Sequence, residues 1–214
     1  MDGLLVDTEK YMWEKNGKIV FKEMGFDFDE DVYRSTMGRN VIAALPILEE
    51  HYGPNFNGKE YYDRVKELNL IQIKNHDIPV MSGVFELLEF LKKNNIKIAV
   101  GTSTHKDLAY DMLEAVGISK YTDKIICGND VSRSKPEPDI YLKVIEEFKT
   151  LKKEEAFVFE DAHSGIRAAI NANIPVIIVP NIASFTQDDK KEAFAVIESL
   201  DKAIDIIKNL NNIN

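Results

Sequence analysis

From residue 84 onward the chain alternates amphipathic stretches with short, wholly apolar runs, and this alternation restricts its fold more than any other feature. GVFELLEFLKKNN places Val84, Leu87, Leu88 and Leu91 at helical spacing, IKIAVG is a short apolar run, and HKDLAYDMLEAVG returns to helical period and stops at Gly117. KIIC, AFVFE and IPVIIVP are three more short strands, separated by PDIYLKVIEEF and SGIRAAINAN as helices. The tail adds a helix, a weak strand near AVIES, a closing helix and a frayed NLNNIN end. Strands that are apolar throughout are buried on both faces, and strands separated by helices pair in parallel. The pattern predicts an α/β fold, a parallel sheet flanked by helices.

The front third reads differently. Between Glu9 and Met24, Trp13, Val20, Phe21 and Met24 recur at helical spacing, and Gly25 supplies a left-handed stop. VIAALPILEE is interrupted by Pro46, which predicts a kinked helix or two short ones, followed by HYGPNFNG as a loop. KEYYDRVKELNLIQIKN then reads as a helix with Tyr61, Val65 and Leu68 on one face. No strand is expected before about residue 95, so an all-helical segment is inserted between the first turn of the α/β domain and its next strand.

A chain of 214 residues with 44% hydrophobic and 29% charged residues has ample means to bury a core. It contains no apolar run near the roughly 18 residues a membrane span needs and no leader-like start, so a cytoplasmic protein with no membrane partner is expected. A net charge of −9 with no basic cluster argues against nucleic acid. The single cysteine, Cys127, lies between apolar neighbours in KIICG and reads as a buried structural thiol.

In open parallel sheets, ligands bind outside the carboxyl ends of the strands. The residues there are Asp2 and Asp7 in the opening loop, Thr102 and Ser103 after IKIAVG, Lys135 in RSKPEPD, and Glu160 and Asp161 after AFVFE. Each alone has an ordinary explanation as a helix cap, a solvated lysine or a turn. Together they set hydroxyls, a lysine and paired acids at the ends of different strands of one sheet.

The series DGLLVDT, AVGTST, SKPEPDIY and FVFEDAHSGIRAA resembles, in order, the four motifs of the haloacid dehalogenase superfamily of phosphohydrolases, and is most similar to its β-phosphoglucomutase-like group. The resemblance implies a Rossmann-like core from residues 1–7 plus 80–214 and an inserted all-helical cap domain, residues 8–79, with hinges near Asp7-Thr8 and between Ile78 and Ser82. It also implies an aspartyl-phosphate mechanism on a small phosphorylated metabolite such as a sugar phosphate or nucleoside phosphate. Asp2 matches the second aspartate of the first motif, the general acid and base. The nucleophilic aspartate and the first strand are then expected just ahead of Met1, and the sequence reads as a shortened record. Glu160 and Asp161, with the backbone carbonyl of Asp2, are expected to hold Mg²⁺. Lys135 faces the transferring phosphoryl group, Thr102 donates to it, and backbone near Ser103 completes the cradle. In the cap, Arg39 of MGRN is a candidate substrate contact, with a solvated turn arginine as the alternative.

Mutases of this group carry a cap histidine in the segment corresponding to TEKYMW. None is present here, Met12 standing at the matching place, and His51, His76, His105 and His163 lie elsewhere with loop or surface roles expected. Simple hydrolysis is therefore favoured over a phosphosugar mutase. If the chain truly starts at Met1, the alternative is a catalytically inactive binding protein. Monomer is the default state.

Overall fold

Helices fill the first third of the computed structural model, which describes residues 1–36, 41–181 and 185–211. A π-helical stretch, Thr8–Glu14, runs into α1 (Lys15–Glu23), followed by α2 (Glu30–Thr36), α3 (Val41–Tyr52) and α4 (Gly58–Lys74). Gly25 takes φ +80° and ends α1, as its sequence position predicts. Asn57 caps α4, its side chain accepting from the Glu60 amide at 3.1 Å. Phe21 is fully buried at the centre of this unit, with the rings of Tyr52 and Tyr61 each 4.8 Å from its own. Pro46 does not split α3. The backbone bond that proline forfeits is offset by packing, with Leu48 on the same helix sunk into the aromatic cluster.

From Val84 the elements follow the expected alternation. They are α5 (Val84–Lys93), β1 (Ala99–Gly101), α6 (Lys106–Ala115), β2 (Lys124–Ile126), α7 (Asp139–Phe148), β3 (Val158–Glu160), α8 (His163–Asn171), β4 (Val176–Ile178), α9 (Gln187–Glu192), β5 (Ala195–Val196) and α10 (Ala203–Asn211). Every strand pairing is parallel, with Val100 opposite Ile125, Phe159 opposite Ile177 and Ile178 opposite Val196. Cys127 is buried in the core. No helix among the described residues is long and apolar enough to cross a membrane.

The sheet is not one continuous layer. It is in two pieces, β1-β2 and β3-β4-β5, because no strand among the described residues lies between β1 and β3. Residues 1–6 form a turn with only isolated bridges, Asp2 to Val6 and Val6 to Val80. Between the pieces is a cavity of about 680 Å³, lined by β1, β3, α5, α7 and α10.

The carboxyl ends of β1 and β3 nevertheless meet. The Lys135 ammonium donates to the Gly101 carbonyl at the end of β1 (3.3 Å) and to the Glu160 carboxylate at the end of β3 (2.5 Å).

Candidate active site

The centre of the strand-end cluster is a buried ion pair. Lys135 and Glu160 have side chains only 9% and 6% exposed. The Tyr141 hydroxyl, from the first turn of α7, donates to the same Glu160 oxygen, and the Lys135 ammonium stands 4.9 Å over the Tyr141 ring. Burial pushes the Glu160 carboxyl up, but the Lys135 ammonium and the hydrogen bonds from Lys135 and Tyr141 outweigh it and hold the group below its usual range. Burial, joined by the negative charge of Glu160, raises the Tyr141 hydroxyl far above its ordinary value, so it remains a donor.

Asp161, the next residue, is in the opposite electrical situation. Burial pushes its carboxyl up to about 6, assisted by the negative charge of Glu160. This carboxylate is short of positive charge. Two glycines let backbone approach the acids: a Cβ on Gly3, where φ is +72°, would lie 2.3 Å from Asp161 Oδ2, and one on Gly165 in α8 would lie 2.2 Å from the Glu160 carboxyl carbon. Asn181, just beyond β4, donates to the Gly3 carbonyl at 2.7 Å and fixes the turn from the other side.

Asp2 faces the end of β1. Its Oδ2 accepts from the Thr104 hydroxyl at 2.7 Å, with the Thr102 hydroxyl farther off at 3.5 Å. Thr102 is 2% exposed; its amide donates to Ile126 O and its hydroxyl accepts from the Thr104 amide. Ser103 is exposed on the same turn. Arg39 lies outside the described residues.

Of the residues singled out in the sequence, Asp2, Thr102, Lys135, Glu160 and Asp161 thus gather at one end of the sheet pieces. Among the described residues no three His, Cys, Asp or Glu side chains converge as a metal-binding group. Asp2 turns its carboxylate to the threonines, and one Glu160 oxygen is taken by Lys135 and Tyr141. The Asp161 carboxylate, buried beside Glu160, is of the oxygen chemistry that suits a hard divalent cation. Sequence reasoning missed Tyr141, Thr104 and Asn181. The strand-end rule could have found Asn181 after IPVIIVP, whereas Tyr141 reads as a core residue of an amphipathic helix.

The sequence model of the haloacid dehalogenase-like hydrolase family matches residues 1–179. The chain belongs to that family and is, as such, a hydrolase. It is 35% identical over 174 residues to a phosphorylated carbohydrates phosphatase of Thermotoga maritima, covering 81% of this chain and 79% of the relative. It is 32% identical over 187 residues to (DL)-glycerol-3-phosphatase 2 of Arabidopsis thaliana, covering 85% and 77%. Both relatives are named as phosphatases. Among solved structures, a Thermotoga maritima protein provisionally assigned as a β-phosphoglucomutase superposes with a TM-score of 0.84 at 30% identity, over 98% of this chain and 96% of that one. CbbY of Rhodobacter sphaeroides, at 23% identity and a TM-score of 0.71 over 94% and 92%, shares the fold.

Proposed function

We propose that the chain is a Mg²⁺-dependent phosphatase that hydrolyses a small phosphorylated metabolite, a sugar phosphate or nucleoside phosphate. The observation that carries this reading is the gathering of a buried lysine, two buried acids, a buried threonine and Asp2 at one end of the sheet pieces. Phosphoryl transfer needs such a set, because an anionic nucleophile approaches a phosphate only where positive charge is fixed beforehand. The names of the relatives favour phosphorylated carbohydrates and glycerol phosphate as substrates to try first.

In this reading each residue has a role. Glu160, Asp161 and the backbone carbonyl of Asp2 hold Mg²⁺, which when bound neutralises charge on the phosphoryl oxygens. Lys135, held by Glu160 and the Gly101 carbonyl, adds a second fixed cation. The Thr102 hydroxyl donates to a phosphoryl oxygen, and backbone beside Ser103 orients the group. The Thr104 hydroxyl occupies one oxygen of Asp2, leaving the other to protonate the departing oxygen and later take a proton from water. The nucleophile of the aspartyl-phosphate route is an aspartate. Its carboxylate bonds to phosphorus as the substrate's P–O bond breaks, and water then releases phosphate. Residues 8–79 act as the cap that excludes bulk water, with Arg39 reaching the substrate. TEKYMW, without a histidine, favours water over a second sugar hydroxyl as the acceptor.

The test is phosphate release from hexose phosphates, glycerol phosphate and nucleoside monophosphates, with Mg²⁺ and with a chelator. Faster interconversion of β-glucose 1-phosphate and glucose 6-phosphate than phosphate release would replace hydrolysis by the mutase reading.

A further inference from the structure

The Glu160 carboxylate at the end of β3 is held unevenly. Its Oε1 accepts from both the Tyr141 hydroxyl and the Lys135 ammonium, both bonds going to this oxygen and not to Oε2. Helix α8 closes another side, since a Cβ on Gly165 would stand 2.3 Å from each carboxylate oxygen. One oxygen of the acid is therefore occupied, and the other is left to take a further partner.

Of the two donors, Tyr141 is the fixed one. It is buried, and its ring packs on Gly101 at the end of β1, where a Cβ would lie 3.4 Å from Tyr141 Cε1. A phenol carries a single O–H, and here the acid takes it. Lys135 instead divides its ammonium between Glu160 and the Gly101 carbonyl, on a flexible four-carbon stem. Packing alone does not call for the hydroxyl. Tyr141 lies in an apolar cluster with Ile140, Ile166 and Val176, where a phenylalanine ring would fill the same space with no polar atom to satisfy.

We propose that Tyr141 is a positioning residue that sets the cation preference of the site: its hydroxyl holds Oε1 and limits Glu160 to a one-oxygen ligand, through Oε2, favouring Mg²⁺ over Ca²⁺. The proposal rests on the reading of Glu160 and Asp161 as metal ligands. Ca²⁺ takes about six to eight oxygens in a flexible shell and accepts a carboxylate through both of its oxygens. Mg²⁺ demands a compact octahedron, served by single oxygens and water. With phenylalanine at 141, Oε1 keeps only the mobile lysine donor, and Glu160 is free to offer both oxygens to the larger ion.

The experiment titrates Mg²⁺ and Ca²⁺ separately into the wild type and Tyr141→Phe by calorimetry at pH 7, with no substrate present. Circular dichroism first establishes that each protein is folded at the temperature used. Loss of a group that orients a metal ligand costs about 10–100-fold in metal affinity. Mg²⁺ affinity is expected to fall about tenfold in the variant while Ca²⁺ affinity holds or rises, moving the preference at least about tenfold toward Ca²⁺. A merely structural role weakens both cations alike. Equal losses, or no change, therefore overturn the proposal while leaving the metal reading in place. Absence of binding by either cation to the wild type removes the metal reading and the proposal with it. If Tyr141→Phe does not fold, 3-fluorotyrosine incorporated at position 141 takes its place, keeping the shape and the hydroxyl while making the O–H a stronger donor. The preference for Mg²⁺ must then rise, and an unchanged or lower preference overturns the proposal.

Discussion

Replacing Lys135 by Met removes the buried cation while nearly preserving its volume, and the consequence can be worked out from the pair it breaks. Lys135 and Glu160 are 2.5 Å apart and both nearly inaccessible to water. Removing one partner of such a pair costs about 3–5 kcal/mol, because the other charge stays buried without compensation. At roughly 2–4 °C per kcal/mol for a chain of this size, the unfolding midpoint at pH 7 should fall by about 6–20 °C. The pH dependence identifies the cause. In the wild type the Glu160 carboxyl lies below its usual range, so it contributes stability above the unfolded-state value that is lost as pH falls through the folded one. In Lys135→Met burial acts with less opposition and Glu160 rises, so its penalty is present at pH 7 and relieved by protonation in acid. The gap between variant and wild type, followed by circular dichroism melts from pH 7 to pH 4, should therefore narrow. A midpoint change under about 2 °C at pH 7, or a gap independent of pH, would refute the reasoning.

Further expectations concern the neighbours of that pair. Tyr141→Phe deletes the hydroxyl that donates to Glu160 and should cost about 1.5–3 kcal/mol by chemical denaturation, the value of a hydrogen bond to a charged group. Gly3→Ala puts a Cβ 2.3 Å from Asp161 Oδ2 at φ +72° and should weaken Mg²⁺ binding, read by calorimetry, along with a loss of about 1–2 kcal/mol from the left-handed backbone. The rise in unfolding midpoint produced by Mg²⁺ should shrink as pH falls below 6, because the Asp161 carboxyl, raised to about 6, then binds a proton in competition with the metal, at about tenfold in affinity per pH unit. A Mg²⁺ effect that is flat between pH 5 and 7 would remove Asp161 from the metal site.

The sequence and the structure agree best where periodicity is strong. The helices α5, α6, α7 and α8 were legible from apolar spacing, and the short strands from runs such as AFVFE bounded by polar ends. At Pro46, of the two readings, a kinked helix or two short ones, the single helix α3 rules out the second, and Leu48 on it is buried. At the candidate site, Thr102, Lys135, Glu160 and Asp161 could be found because strand ends are sequence landmarks. Thr104 and Tyr141 could not, since a second threonine in a turn and a tyrosine on an apolar helix face have ordinary roles. Only the contacts to Asp2 and Glu160 distinguish them.

The most direct test of the phosphatase account is the release of inorganic phosphate from a sugar phosphate by the protein isolated from its own cell, beside the Asp161→Ala variant expressed in that same cell. The account predicts Mg²⁺-dependent release by the former, abolished by a chelator, and none by a variant that still folds. Phosphate release that survives both the chelator and the loss of Asp161 would contradict it.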